Sequence, residues 1–216
     1  MRINELIKPD EVNAFRRDIN NQTFHGTVEH DDVRFNLKDY MAKYGFTQLG
    51  FGGFASVFKS PKHKFVLKVF GENPGFLKWI AHCQEHQDNP YLPKFQGKPV
   101  KIHNTYYAVR MESLTHKDEA LQTKISNVIN FLVDKSQILY SKSDEEIENS
   151  HTGNSRFFIT YWDRLLQMMP DYRQDRDLKA AVLAVRQIAQ GHSIDLNSGN
   201  IMFRGDQIVI TDPISG

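Results

Sequence analysis

Asp195-Leu196-Asn197-Ser198-Gly199-Asn200-Ile201-Met202, followed after a short polar turn by Ile210-Thr211-Asp212-Pro213, is the stretch on which the reading of this chain turns. It places a carboxylate, an amide five residues on, and a second carboxylate at the end of the next hairpin. Phosphoryl transfer needs these residue types: one carboxylate to orient an attacking hydroxyl and take its proton, and oxygen donors to hold Mg²⁺ against phosphates. Any one of these residues alone is more often a turn residue bonding its own backbone. It is their order, spacing and intervening strands that carry the reading.

Upstream stands Leu49-Gly50-Phe51-Gly52-Gly53-Phe54-Ala55-Ser56-Val57. Glycines between two strands let backbone amides approach a phosphate because no side chain intervenes. By itself such a run is most often only a turn. Lys68 follows in the apolar run Val66-Leu67-Lys68-Val69. Its ammonium is costly to bury without an anionic partner, and the bland alternative is an edge-strand lysine facing water. Glycine hairpin and next-strand lysine together match the way kinases cover and hold ATP phosphates. Val109-Arg110-Met111-Glu112-Ser113-Leu114 ends the strand-rich part, where a hinge backbone would read adenine, and Asn89-Pro90-Tyr91-Leu92-Pro93 is a connector.

The surrounding texture predicts an order of elements. Asp10 caps a segment with Val12, Phe15 and Ile19 at helical spacing, and Val33, Leu37, Tyr40, Met41 and Tyr44 repeat that spacing. Strands are expected at 46–49, 55–59, 65–69, 93–100 and 106–111, with one helix from Asn73-Pro74 to about Gln87. Helical stripes follow: one from Leu121 to Val133, one from Phe157 to Leu166 stopped by Pro170, and one from Leu178 to Ala189 stopped by Gly191. The segment 141–155 reads as a surface loop, and Ile201–Phe203 with Ile208–Thr211 as a closing hairpin.

Composition bounds the rest. Of 216 residues 40% are apolar, and 27 Lys+Arg against 26 Asp+Glu leave a formal charge of +1. That is a globular composition with no bulk attraction to nucleic acid or anionic membrane. The single cysteine, Cys83, cannot form an internal disulfide or a thiolate cluster, and no secretory or membrane-spanning run is present. A soluble protein of a reducing cytoplasm is expected.

At the quoted motifs the chain resembles the protein kinase superfamily over about 45–213. More narrowly it is similar to the early serine/threonine protein kinases of T-seven-like bacteriophages, through Ser198-Gly199-Asn200-Ile201-Met202-Phe203, Ile210-Thr211-Asp212-Pro213 and the Gly45-Phe46 approach to the glycine loop. The resemblance implies a kinase that phosphorylates serine or threonine of host proteins, and itself, in the cytoplasm of an infected bacterium. Ala55 replaces a third loop glycine, and Asn197 stands where serine/threonine kinases often carry a lysine for the γ-phosphate. Ser193 stands where a histidine is common, and the neighbouring His192 is read as structural. Asp212 is followed by proline and not by Phe-Gly. Glu85 is the best-placed partner for Lys68.

The expected fold is α+β and kinase-like, with two lobes and ATP between them. Residues 1–44 form an N-terminal helical segment, 45–112 a sheet lobe, and 113–216 a minimal or truncated helical lobe. Asp195 is the expected base and Lys68 the phosphate-holding cation. Gly50, Phe51, Gly52, Gly53, Phe54, Ala55, Val57, Met111 and Glu112 contact ATP, while Asn200 and Asp212 hold Mg²⁺. Ser215, three residues beyond Asp212, is a candidate for autophosphorylation. Two rivals stand beside this reading: a small-molecule kinase of the aminoglycoside or choline type, and an inactive kinase-fold module that binds a host protein.

Overall fold

Lys68 sits in the middle strand of a five-stranded antiparallel sheet. The computed structural model describes residues 37–39, 41–43, 45–51, 55–103, 106–143, 145–147 and 156–215. Within them, β1 (Thr47–Phe51), β2 (Ala55–Lys59), β3 (Phe65–Gly71), β4 (Phe95–His103) and β5 (Tyr106–Glu112) pair in the order β1-β2-β3-β5-β4. β3 reads Phe-Val-Leu-Lys-Val-Phe-Gly and is buried along almost its whole length, as a central β-branched and aromatic strand should be. β4 lies at an edge and contains Pro99, which would break the pairing of an internal strand.

The described residues form two compact units. One comprises those of Met1–Asn73 with Lys94–Ser113, and the other Pro74–Pro93 with Leu114–Gly216. In the first unit, strand alternation sorts the sheet into two faces. Phe58, Leu67, Val69 and Ala108 pack on one face against Leu37, Met41 and Phe46, the last three supplied by the chain just before β1. Residues 37–39 and 41–43 are helical, in keeping with the spacing of Leu37 and Met41. The expected helix at Asp10–Ile19, like most of 1–44, lies outside the described residues.

The second unit contains α1 (Pro74–Glu85), α2 (Glu119–Leu139), α3 (Arg156–Met168), α4 (Arg176–Ile188), the hairpin β7 (Ile201–Arg204) with β8 (Gln207–Ile210), and the short antiparallel pair β6 (Ser193–Ile194) with β9 (Ile214–Ser215). Pro74 opens α1 at the position where a missing N–H costs nothing. Asp118 and Asp175 cap α2 and α4 by accepting backbone N–H bonds. The predicted stripes enter the core, with Ile129 and Leu132 of α2, Leu165 of α3 and Val182 of α4 all buried, and Trp79 and Ile80 of α1 are buried too. Asp175 also accepts the Tyr91 hydroxyl at 2.5 Å, and burial together with that carboxylate pushes the Tyr91 phenol well above its ordinary range. Burial likewise pushes the Cys83 thiol up, so it acts as a small apolar group and not a nucleophile. Among the described residues no helix is long and apolar enough to cross a membrane.

Three features go beyond the sequence reading. The β6–β9 pair is not foreseen by the pattern, because two-residue strands carry no periodicity. The expected loop at 141–155 contains a helical turn at 145–147, with Ile147 fully buried. The helix 74–85, which lies inside the 45–112 span in sequence, packs with the second unit because its first turn meets β9. A Cβ added at Gly75 would lie 2.5 Å from Ile214 Cγ2 and 3.0 Å from His192 Cγ. Gly75→Ala therefore forces β9 or His192 to move. A loss of about 1–3 kcal/mol is expected in denaturant unfolding, the usual cost of overpacking.

Candidate functional site

The hairpin β7–β8 and the turn before it place the motif residues in a closed set of hydrogen bonds. Asp195 N donates to Pro213 O at 2.8 Å, which joins the approach to the first carboxylate to the segment just after the second. Asn200 Nδ2 donates to Asp195 O at 2.6 Å. Thr211 then donates twice to Asn200 O, through its N at 2.9 Å and its Oγ1 at 3.1 Å. The backbones of Asp195, Asn200 and Asp212 are thus tied into one loop-and-hairpin unit, and all three residues are half-buried. Because its Nδ2 is spent on Asp195 O, the Asn200 amide keeps its Oδ1 as the oxygen available to a cation.

Polar groups on two helices support this unit. On α2, Ser126 Oγ and Asn130 Nδ2 both donate to Leu196 O, at 2.7 and 2.6 Å. Gln122 Nε2, one turn earlier, donates to the carbonyls of Ser198 and Ile201. From α1, the buried Trp79 Nε1 donates to Thr211 O at 3.3 Å, immediately before Asp212. Sequence reasoning misses these supports because it follows only the apolar stripe of α2. Gln122, Ser126 and Asn130 recur every four residues beside that stripe, and polar residues on the buried side of a helix are a signal of fixed hydrogen-bond partners.

In the sheet unit, register decides which predicted residues share a face. Gly50 opposes Val57, Val57 opposes Lys68, and Lys68 opposes Val109. Ala55 opposes Phe70, and Val66 opposes Met111. Directly opposed residues project to the same side, so Gly50, Ala55, Val57, Lys68 and Met111 lie on one face, away from the Phe58–Leu67–Val69 core. Lys68 is only 5% exposed in a central strand, which removes the edge-lysine alternative. Phe51 opposes Ser56 on the other face and is largely exposed despite its size. Gly52, Gly53 and Phe54 lie outside the described residues. Glu112 is turned to a different task, since its N donates to Lys94 O at 2.9 Å and its Oε1 accepts from Lys94 N at 2.7 Å.

Three further residues have defined places. Glu85 is exposed at the end of α1 in the second unit, whereas Lys68 is buried in the first. His192 packs its ring against Gly75, in keeping with a structural role. Ser215 pairs with Ser193 in β9, and its Oγ donates to Ser193 O at 3.3 Å.

No curated protein matches the chain. One solved structure that aligns with it is described as the streptomycin-ATP-APH(2")-IIa ternary complex, with 9% identity over 88% of this chain and 73% of that one and a TM-score of 0.31. The profile of the family described as Bacteriophage T7 protein kinase 0.7 matches residues 5–215, a span that includes the glycine loop, Lys68, Asp195, Asn200 and Asp212. With nearly its whole length matched, the chain belongs to the bacteriophage T7 protein kinase family and is a phosphotransferase.

Proposed function

We propose that this kinase transfers the γ-phosphate of ATP to serine or threonine hydroxyls of bacterial host proteins, in the cytoplasm of the infected cell, with Asp195 as the base. The observation that carries this reading is the hydrogen-bonded ring through Asp195, Asn200, Thr211 and Pro213, which ties the backbones on either side of Asp212 to those of Asp195 and Asn200. Asn200 Oδ1 and the Asp212 carboxylate are hard oxygen donors of the kind that suit Mg²⁺, which is commonly held by one or two protein groups together with substrate phosphates. Bound there, the ion would neutralise charge on the transferring phosphate. Asp195 would accept the proton of the attacking hydroxyl. Lys68, on the sheet face with Gly50, Ala55 and Val57, would hold the α- and β-phosphates, and Met111 would border the base.

Incubation with radiolabelled ATP, magnesium and a bacterial lysate tests the reading. Label in protein that yields phosphoserine or phosphothreonine supports it. Label confined to small molecules would replace it with the aminoglycoside- or choline-type reading, and no label with that of an inactive binding module.

Nucleotide handling has its own prediction. Mg-ATP at a hundred times its Kd should stabilise the parent by about 2.7 kcal/mol, seen as a rise in Tm. Lys68→Met keeps the aliphatic stem in the sheet and removes the charge, so its rise should be less than about half as large. A parent protein whose Tm ignores Mg-ATP would sink the nucleotide assignment.

A further inference from the structure

Asn197, which stands where serine/threonine kinases often carry a lysine, touches the proposed base. Asn197 is extended at φ −93°, ψ 174°, and its Oδ1 accepts from Gly199 N at 2.8 Å. Its Nδ2 donates to Asp195 Oδ1 at 2.8 Å. The direction of the amide is fixed by its partners. A backbone N–H can only donate, so Oδ1 must face Gly199, and Nδ2 is left facing the carboxylate, which as an ion only accepts. Gly199 leaves room for this, since a Cβ there would lie 3.1 Å from Asn197 Oδ1.

We infer that Asn197 is a positioning residue that fixes the rotamer of the Asp195 carboxylate for phosphoryl transfer. The role rests on the assignment of Asp195 as the base. With Oδ1 held by Asn197, Oδ2 is the oxygen left to the acceptor. The hydroxyl proton passes to Oδ2 while the hydroxyl oxygen bonds the γ-phosphorus and the bridging oxygen departs with ADP. The residue standing in the lysine position therefore does a different job: it orients the base and adds no charge beside the γ-phosphate. The plainer alternative is an Asn that only caps the turn Ser198–Asn200 through Gly199.

Two variants separate these roles. Asn197→Ser keeps a capping oxygen but has no amide to reach Asp195. Asn197→Asp keeps the shape and the cap, but turns a carboxylate oxygen toward Asp195 Oδ1. Positioning predicts that kcat falls about ten-fold in Asn197→Ser, the loss of one hydrogen bond to a charged group, with KM for ATP within about two-fold of the parent. Asn197→Asp should fall further, to about a hundredth of the parent, because like charges are brought together. A purely capping role predicts parental kcat in both.

A second readout needs no activity. The side-chain amide ¹H–¹⁵N signals of Asn197, assigned by their loss in Asn197→Ser, should move in Asp195→Ala. Unmoved signals, or parental kcat in Asn197→Ser, overturn the positioning role, even where Asp195→Asn is inactive and the base assignment holds. Should Asp195→Asn turn over like the parent, the base assignment falls and the positioning role falls with it.

Discussion

Asp195→Asn and Asp212→Asn proteins are expected to lose about 10²- to 10⁴-fold in phosphoryl transfer while melting within a few degrees of the parent. Each replacement keeps the shape of the side chain and removes one charge or proton acceptor. Most of this chemistry is positioning and charge stabilisation, so one removed carboxylate should be costly. The fold should tolerate the changes. Both residues are half-buried, and the bonds that hold their loops run through the backbone of Asp195, Thr211 and Pro213 and the side chains of Asn200 and Thr211. Initial rates of label transfer, read beside circular dichroism and Tm, decide it. An Asp195→Asn protein with parental turnover would remove the base assignment, and an unfolded one would show that the carboxylate is structural.

The second large effect is on stability. Trp79 is fully buried in α1, and its Nε1 bonds Thr211 O. Trp79→Ala should cost about 3–5 kcal/mol through lost burial and the cavity left behind. That is a large share of the roughly 5–15 kcal/mol by which a domain is stable. Trp79→Phe keeps most of the apolar surface and leaves the Thr211 carbonyl without its indole donor, so its cost should be nearer about 1 kcal/mol. The carbonyl precedes Asp212, so transfer should fall in Trp79→Phe by more than its small stability loss explains. Urea unfolding of the three proteins, with transfer rates measured well below the transition, separates the two contributions. Equal midpoints for parent and Trp79→Ala would mean that α1 contributes little to the second unit.

Much of the fold is legible in the amino-acid sequence by itself. The β-branched and aromatic runs broken by glycine and proline locate the five strands to within a few residues, and the 3.6-residue stripes locate α2, α3 and α4, because strand preference and helical periodicity are local properties of the chain. The proposed donor set Asp195, Asn200 and Asp212 rests on residue type, order and spacing, and the family match spans the same residues.

What the chain alone could not determine is every relation that depends on which distant backbone comes alongside. Lys68 reads equally well as an edge or a central lysine until β2 and β5 are paired with β3. Glu112 reads as a neighbour of Met111 until pleating sends it to the opposite face, toward Lys94. Gln122, Ser126 and Asn130 are only polar letters beside an apolar stripe until the carbonyls of Leu196, Ser198 and Ile201 arrive to accept from them. Residue type and period are local properties written along the chain. Strand register and hydrogen-bond partners are set by long-range packing, and only the tertiary structure supplies them.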